Sequence, residues 1–303
     1  MPAPNFIVIG AQKCGTEALY RALQQHPDVF MSANKEPSFF AMDGSLPSFR
    51  IPTPGYRNRL VPRWDAYLRL FDGAEGCAAI GEASAMYLSR WEPERTAARI
   101  RERIPGAKLV ALLRQPADRA FSAFHFYRAR DLETADSFEQ ALAAEPERIR
   151  ANDFPDIHHR ANGFYHAHLS RFLEVFPREQ VLVHLHEDWK AEPGRVLRET
   201  FRFLGVDEGV RVEVGRFNVT HRDRSPRLRR FLADPRRRER WPASKLPGRI
   251  MAAIERWNRS RPEPMRPETR RDLMRGYRDD ILQLGDLLDR DLSHWLAEGS
   301  GPS

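Results

Sequence analysis

The chain of 303 residues has only two cysteines, Cys14 and Cys77. Two cysteines make no disulfide framework, so a reducing compartment is expected. No apolar stretch approaches the roughly 18 residues that a membrane-spanning helix needs. The apolar run FIVIGA near the start is too short for a signal-peptide core and follows no positive side chain. Together these absences predict a cytoplasmic protein without a membrane span. Internal repeats, low-complexity tracts and a clear domain boundary are also missing. Lysine is scarce beside arginine, which suits a GC-rich bacterial genome.

What the chain has is apolar residues (41%), enough for a large core, and a formal net charge of +7. Such a charge attracts anions: nucleotides, sulfated or phosphorylated molecules, nucleic acid or membrane surfaces. The excess is mostly arginine and clusters late, in RDRSPRLRR and PRRRER. A solvated basic surface would look the same. Aromatic residues rarely interleave with these arginines and no DNA-binding motif is present, so nucleic acid is not an expected partner.

Four apolar runs rich in β-branched residues read as buried strands: 6–11, 77–83, 108–114 and 180–186. Helical patterns lie between and after them, in TEALYRALQQHP, PADRAFSAFHFYRAR, NGFYHAHLSRFLEVF and PGRVLRETFRFLGV, and PETRRDLMRGYRDDILQLGDLL closes the chain. Strands alternating with helices predict an α/β fold, a P-loop-type, mainly parallel sheet flanked by helices in one domain. Residues 42–66 and 145–162 read as irregular excursions, where specificity would reside.

The segment VIGAQKCGTEAL, residues 8–19, resembles a phosphate loop but lacks the decisive pair of the ATP-binding version. That version reads G-x-x-x-x-G-K-[ST]. Here Thr16 and Glu17 occupy the last two places, and the lysine is Lys13, inside the loop. Magnesium-assisted ATP chemistry is therefore doubtful. The strand-to-helix junction still offers backbone N–H groups and a positive helix end to an anion. A tight turn without a ligand fits too, and Cys14 is then a small residue filling it rather than a reactive thiol.

A second motif runs R-x-P-x-x-R-x-x-S from Arg114 to Ser122. Arg114 ends a strand, and Ser122 falls on the following helix. The carboxyl ends of parallel strands share one rim, so Arg114 belongs beside the Lys13 loop. A guanidinium and a hydroxyl there suit a second phosphate. Two separated phosphate sites imply a nucleotide with two anionic ends. The histidines of HHRANGFYHAH and HLHED form no compact ligand set with cysteine or carboxylate, so no metal is expected.

FIVIGAQKCGTEALYRALQQHPDV followed by RQPADRAFSAF resembles the sulfotransferases that use 3′-phosphoadenosine 5′-phosphosulfate (PAPS). Within them it is most similar to the branch holding the heparan sulfate N- and O-sulfotransferases and bacterial relatives. KEPSFF, GEASAMYL, NGFYHAHLSRFLEVFPREQVLV and FRFLGV match in order. The resemblance implies a cofactor core at about 4–206 and a basic loop with the C-terminal helix at 207–303.

By that resemblance the loop would hold the 5′-phosphosulfate without a metal. Lys13 would contact the bridging oxygen. The loop and helix start (Cys14, Gly15, Thr16, Glu17 and Ala18) would hold the phosphate, and the Glu17 side chain should point away. Arg114 and Ser122 would bind the 3′-phosphate, with Arg222, Arg224 and Ser225 as candidates to close over it. Glu36 matches the catalytic glutamate, and Lys35 could steady the sulfate or tune Glu36. Glu82 is a second candidate, for catalysis or for orienting the substrate. Relatives often carry a lysine after it, where this chain has Ala83. The implied reaction is sulfuryl transfer to a hydroxyl, with an amine as second choice, of a carbohydrate-containing or other small-metabolite acceptor. The charge favours an anionic one. A P-loop small-molecule kinase and a non-catalytic nucleotide-binding protein are the rival readings.

Overall fold

The structure is a computed structural model. It describes residues 2–42, 44–50, 52–215, 222–223, 225, 228, 232, 248–260 and 263–297. Four of its strands are the apolar runs: β1 (Phe6–Gly10), β3 (Ala79–Ala83), β4 (Lys108–Leu113) and β5 (Val181–Leu185). β2 (Val29–Met31) is new to the sequence reading. It is three residues long and sits at the sheet edge, too short to show a periodicity of its own.

All five strands are parallel, in the order β2-β3-β1-β4-β5. Helices cover the central strands, so β1 and β3 are buried at every residue. That explains why they read as continuous apolar runs instead of alternating ones. Ile7, Val8 and Ile9 lose all contact with water, and burial of each such side chain stabilises the fold by about 1.5–3 kcal/mol.

The order places the site. From β1 the chain turns toward β2 and β3; from β4 it turns the other way, to β5. β1 and β4 are neighbours with connections leaving in opposite directions, which opens a crevice beyond their carboxyl ends. The Lys13 loop leaves β1 there, and Arg114 follows β4.

The helices expected around the sheet form at Thr16–Leu23 (α1), Pro116–Arg128, Tyr165–Leu173, Pro193–Leu204 and Pro267–Leu288. The proline at the start of three of them fits a first-turn position, where no backbone N–H is needed. The excursions are more ordered than expected. Residues 42–66 carry the short helix Pro54–Arg57 and the start of Trp64–Leu68. The proposed loop 145–162 begins inside a helix, Phe138–Arg150, capped by the Ser137 hydroxyl. The internal Pro146 had disguised it as loop.

The C-terminal helix is integral to the packing. Both Asp280 carboxylate oxygens accept the backbone N–H groups of His166 and Ala167, at 3.0 and 3.1 Å. Asp280 thus caps the Tyr165 helix from another element. Arg270 pairs with Asp118 on the Pro116 helix.

Candidate active site

The loop after β1 ends in α1 with Gly15 at the N-cap, at φ 105°. Only glycine adopts that conformation without strain. No described residue takes the N–H groups of Gly15, Thr16 and Glu17, so three donors and the positive helix end face the crevice. Cys14 and Ala18 differ from these three in that their N–H groups are already paired, which speaks against their expected place among the cofactor-binding residues. The Cys14 N–H donates to Ala11 O (3.2 Å) and the Ala18 N–H to Gly15 O (3.0 Å). The Cys14 thiol is fully buried, 3.6 Å from the Tyr165 hydroxyl, and burial pushes its pKa up. It is the inert turn-filler, not the reactive thiol. The Glu17 carboxylate is held by Arg21 at 3.0 Å and Lys35 at 3.3 Å, so only its backbone is offered.

Lys13 adopts a left-handed backbone, φ 66°. Its Nζ lies 3.9 Å from the centroid of the Phe126 ring, and the Arg130 guanidinium lies 3.5 Å from the same centroid. Both cations thus lie against one aromatic ring. Burial pulls the Lys13 pKa down to about 7, and the charges of Arg130 and Arg114 add to it. The free protein therefore holds a half-charged lysine ready to be fully charged by an anion. Arg114 donates to Lys13 O at 3.5 Å, joining the two motifs directly. Ser122 is buried on the second turn of the Pro116 helix.

Glu36 stands on the same rim, carried by the turn after β2. It too has a left-handed backbone, φ 66°, and Ser38 has φ 51°. Strained residues persist where surrounding structure over-determines them. Here Glu36 N–H donates to Ala83 O (2.9 Å), and Ala85 N–H donates to Glu36 Oε2 (2.8 Å). Lys35 bridges Glu36 Oε1 (3.0 Å) and Glu17 Oε2 (3.3 Å). Burial opposes its charge, but the two carboxylates outweigh burial and raise its pKa. The residue expected to tune the base thus also ties it to α1.

Glu82 is corrected. It is fully buried and cannot touch a substrate or serve as a base for one. Tyr87 Oη (2.7 Å) and Tyr67 Oη (3.4 Å) donate to its Oε1, and Ser84 Oγ (2.8 Å) donates to its Oε2. Ser84 Oγ in turn accepts from Ser38 N–H (3.0 Å), and Tyr87 Oη from Phe40 N–H (3.2 Å). Two arms therefore run from one carboxylate to the backbone that follows Glu36. Burial pushes Glu82 up to about 7, against the hydrogen bonds of Tyr87 and Ser84.

Three further residues border the loop without having been picked out in the sequence. Arg119, the middle arginine of the second motif, is fully buried and donates to Gln12 Oε1 (3.4 Å) and to His159 O. Gln12 Nε2 donates to Tyr127 Oη at 2.9 Å. His186 begins the helix after β5, and a Cβ placed on Gly15 would meet its ring at 3.4 Å. Burial and the nearby Arg114, Lys190 and Lys13 hold His186 down at about 3, so it is neutral there. Its signal was its place at the carboxyl end of a strand.

Of the proposed 3′-phosphate closers, Arg224 lies outside the described residues. Arg222 is described only as backbone, in the short strand Arg222–Asp223. Ser225 bonds to Asn258 and caps the Leu228 N–H. Among the described residues no group of three or more His, Cys, Asp or Glu is arranged to hold a metal, and no helix is long and apolar enough to cross a membrane.

The family model described as "Sulfotransferase domain" matches residues 3–221. The chain belongs to the sulfotransferase family. A crystal structure of a sulfotransferase from Alicyclobacillus acidocaldarius is 34% identical, with TM-score 0.77, and the match covers 98% of this chain and 100% of that one. The human bifunctional heparan sulfate N-deacetylase/N-sulfotransferase 3 is 30% identical over 210 residues, 67% of this chain and 22% of that protein. Mouse carbohydrate sulfotransferase 15 is 29% identical over 253 residues, 67% of this chain and 44% of that protein. The chain thus spans less than half the length of either curated relative. The sulfotransferase fold expected from the sequence is met, and the kinase reading is not favoured by these comparisons.

Proposed function

We propose that the chain transfers a sulfuryl group from PAPS to a hydroxyl of a carbohydrate or other small acceptor, with Glu36 as general base. The observation that carries this reading is the single rim on which Arg114 donates to Lys13 O, while Lys35 ties Glu36 to Glu17 at the start of the helix that the Lys13 loop enters. The unpaired N–H groups of Gly15, Thr16 and Glu17, with Lys13, suit the 5′-phosphate end. Arg114 and Ser122 suit the 3′-phosphate, and neutral His186 is a further donor for the donor molecule's phosphates. Bound there, PAPS supplies the activated sulfuryl group. Two free cysteines, one of them deeply buried, suit a cytoplasmic setting. Residues 4–206 form the donor-binding core, and 207–303 the basic loop and C-terminal helix.

The chain's own part is positioning and proton handling. Glu36 accepts the proton of the attacking hydroxyl, with Ala85 N–H fixing its orientation. Lys13, charged once an anion is present, stabilises negative charge on the departing phosphate side. Arg119 and Gln12 brace the loop from below. Glu82, through Ser84 and Tyr87, positions the turn that carries Glu36.

Calorimetric titration with adenosine 3′,5′-bisphosphate (PAP), in parallel with ATP and magnesium, tests the donor. Binding of PAP that Arg114→Ala weakens at least tenfold is the expected result. Magnesium-dependent ATP binding without a response to PAP overturns it. Labelled PAPS with an acceptor panel then separates an enzyme from a non-catalytic binder.

A further inference from the structure

The two excursions meet in a chain of contacts that runs from Gln12, beside Lys13, to the residues flanking Glu36. Gln12, beside Lys13, donates to Tyr127 Oη at 2.9 Å. Tyr127 donates to Asp156 Oδ2 at 2.8 Å. Phe154, two residues before Asp156, meets the Tyr56 ring edge-on at 4.8 Å between centroids. Arg59 follows Tyr56, and its carbonyl accepts from Asn34 Nδ2 at 2.9 Å. Val61 N–H donates to Pro37 O at 2.9 Å. Asn34 and Pro37 bracket Lys35 and Glu36, and Lys35 returns to α1 at Glu17.

The polar groups along these contacts have a definite chemistry. Asp156 is 9% exposed and Tyr56 7%, so both offer only a tip. The Tyr56 hydroxyl has no hydrogen-bond partner among the described residues. The Arg59 guanidinium lies 5.3 Å from the Tyr56 ring centroid. Tyr56 feels the charges of both Asp156 and Glu36. Asp156 in turn feels Glu36 and Arg59, and burial pushes it up to about 7. Two carboxylates in one another's field thus face one exposed guanidinium.

We propose that Asp156, Tyr56 and Arg59 form the acceptor-binding face, and that it takes a neutral polyhydroxyl group, a sugar ring without an anionic substituent beside the reacting hydroxyl. A carboxylate accepts from adjacent hydroxyls, the tyrosine hydroxyl donates and accepts, and the guanidinium donates to ring or hydroxyl oxygens. An anionic acceptor would enter against the Glu36 carboxylate, and against Asp156 as well once the pH exceeds about 7. The inference rests on the reading of Glu36 as the base. It also reverses the expectation from net charge. That expectation came from arginines clustered late in the sequence, whereas the acceptor face is built from residues 34–61 and 154–156.

The test offers the full chain, with labelled PAPS, p-nitrophenyl β-glucoside and p-nitrophenyl β-glucuronide, in which a carboxylate replaces the hydroxymethyl group; p-nitrophenyl β-xyloside, which lacks both groups, shows whether loss of that primary hydroxyl alone explains a preference. The glucoside should be favoured at least tenfold in kcat/KM. Asp156→Asn should raise its KM about tenfold, hold kcat within threefold and narrow the preference. Tyr56→Phe should raise KM about threefold, and it carries the test if the first variant fails to fold. Preference for the glucuronide, or unchanged KM in the variants, overturns the proposal. So does failure of the glucoside either to react or to bind the PAP-saturated protein in saturation-transfer NMR. A wild-type protein that does not bind PAP marks instead the failure of the donor reading, because none of these three residues belongs to the donor site.

Discussion

Glu36 and Glu82 carry the same functional group within one small region, and their surroundings divide the work. Glu36 keeps partial contact with water, one oxygen on a backbone N–H and the other on Lys35. Glu82 is sealed under three hydroxyls. The first can take a proton from something that arrives. The second can only hold what is already there, and it holds the turn that presents the first. Burial, more than residue type, separates a base from its support.

The sharpest way to break this contrast is Glu36→Gln. It should lower kcat/KM by about 10²–10⁴ and leave the PAP dissociation constant within threefold. Retained transfer in a steady-state assay would remove Glu36 as the base. Arg114→Ala is the control on the donor side. Loss of a charge-assisted phosphate contact costs about 1.5–3 kcal/mol, so PAP affinity should fall about 10- to 100-fold in calorimetry.

Lys13 adds a dependence on pH. Its free-state pKa is about 7, and a bound phosphate raises it. Below 7 the lysine is already charged; above 7 binding must take up a proton, so affinity falls as pH rises. PAP should bind about tenfold more weakly at pH 8.5 than at pH 7, and Lys13→Gln should flatten that profile. A flat wild-type profile would place Lys13 off the phosphate.

Glu82→Gln should give the smallest effect on transfer and a clear one on stability. The folded pKa, about 7, exceeds the ordinary value of 4.5. The folded state therefore holds the extra proton, and the contribution present below 4.5 is lost as pH rises toward 7. The slope is at most about 1.4 kcal/mol per pH unit. Thermal melts between pH 4.5 and 7.5 should show a shallower decline for the variant. An unchanged slope would mean that Glu82 is ionised throughout.

The parts of the candidate site that sit in continuous motifs were legible as positions on one rim, which is where the structure has them. Lys13, Thr16, Arg114 and Ser122 follow from a strand, a turn and a helix in succession. Glu36 was reached through family resemblance, because nothing local distinguishes a base from a surface glutamate. The differences share a cause. Cys14 and Ala18 lie in the loop, but their N–H groups are spent on Ala11 and Gly15. Glu82 points toward the right rim, yet Tyr67 and Tyr87 close over it. Arg119 reaches Gln12 across 107 positions and Asp156 joins Tyr127 across 29, distances over which no local pattern carries information.

Asp280 caps the helix whose Tyr165 touches Cys14 in the phosphate loop. The loop is synthesised roughly 260 residues before its buttress. At about 5–20 residues per second, the interval is on the order of tens of seconds. A nascent chain therefore carries its phosphate-loop motif long before it carries the residue that buttresses that loop.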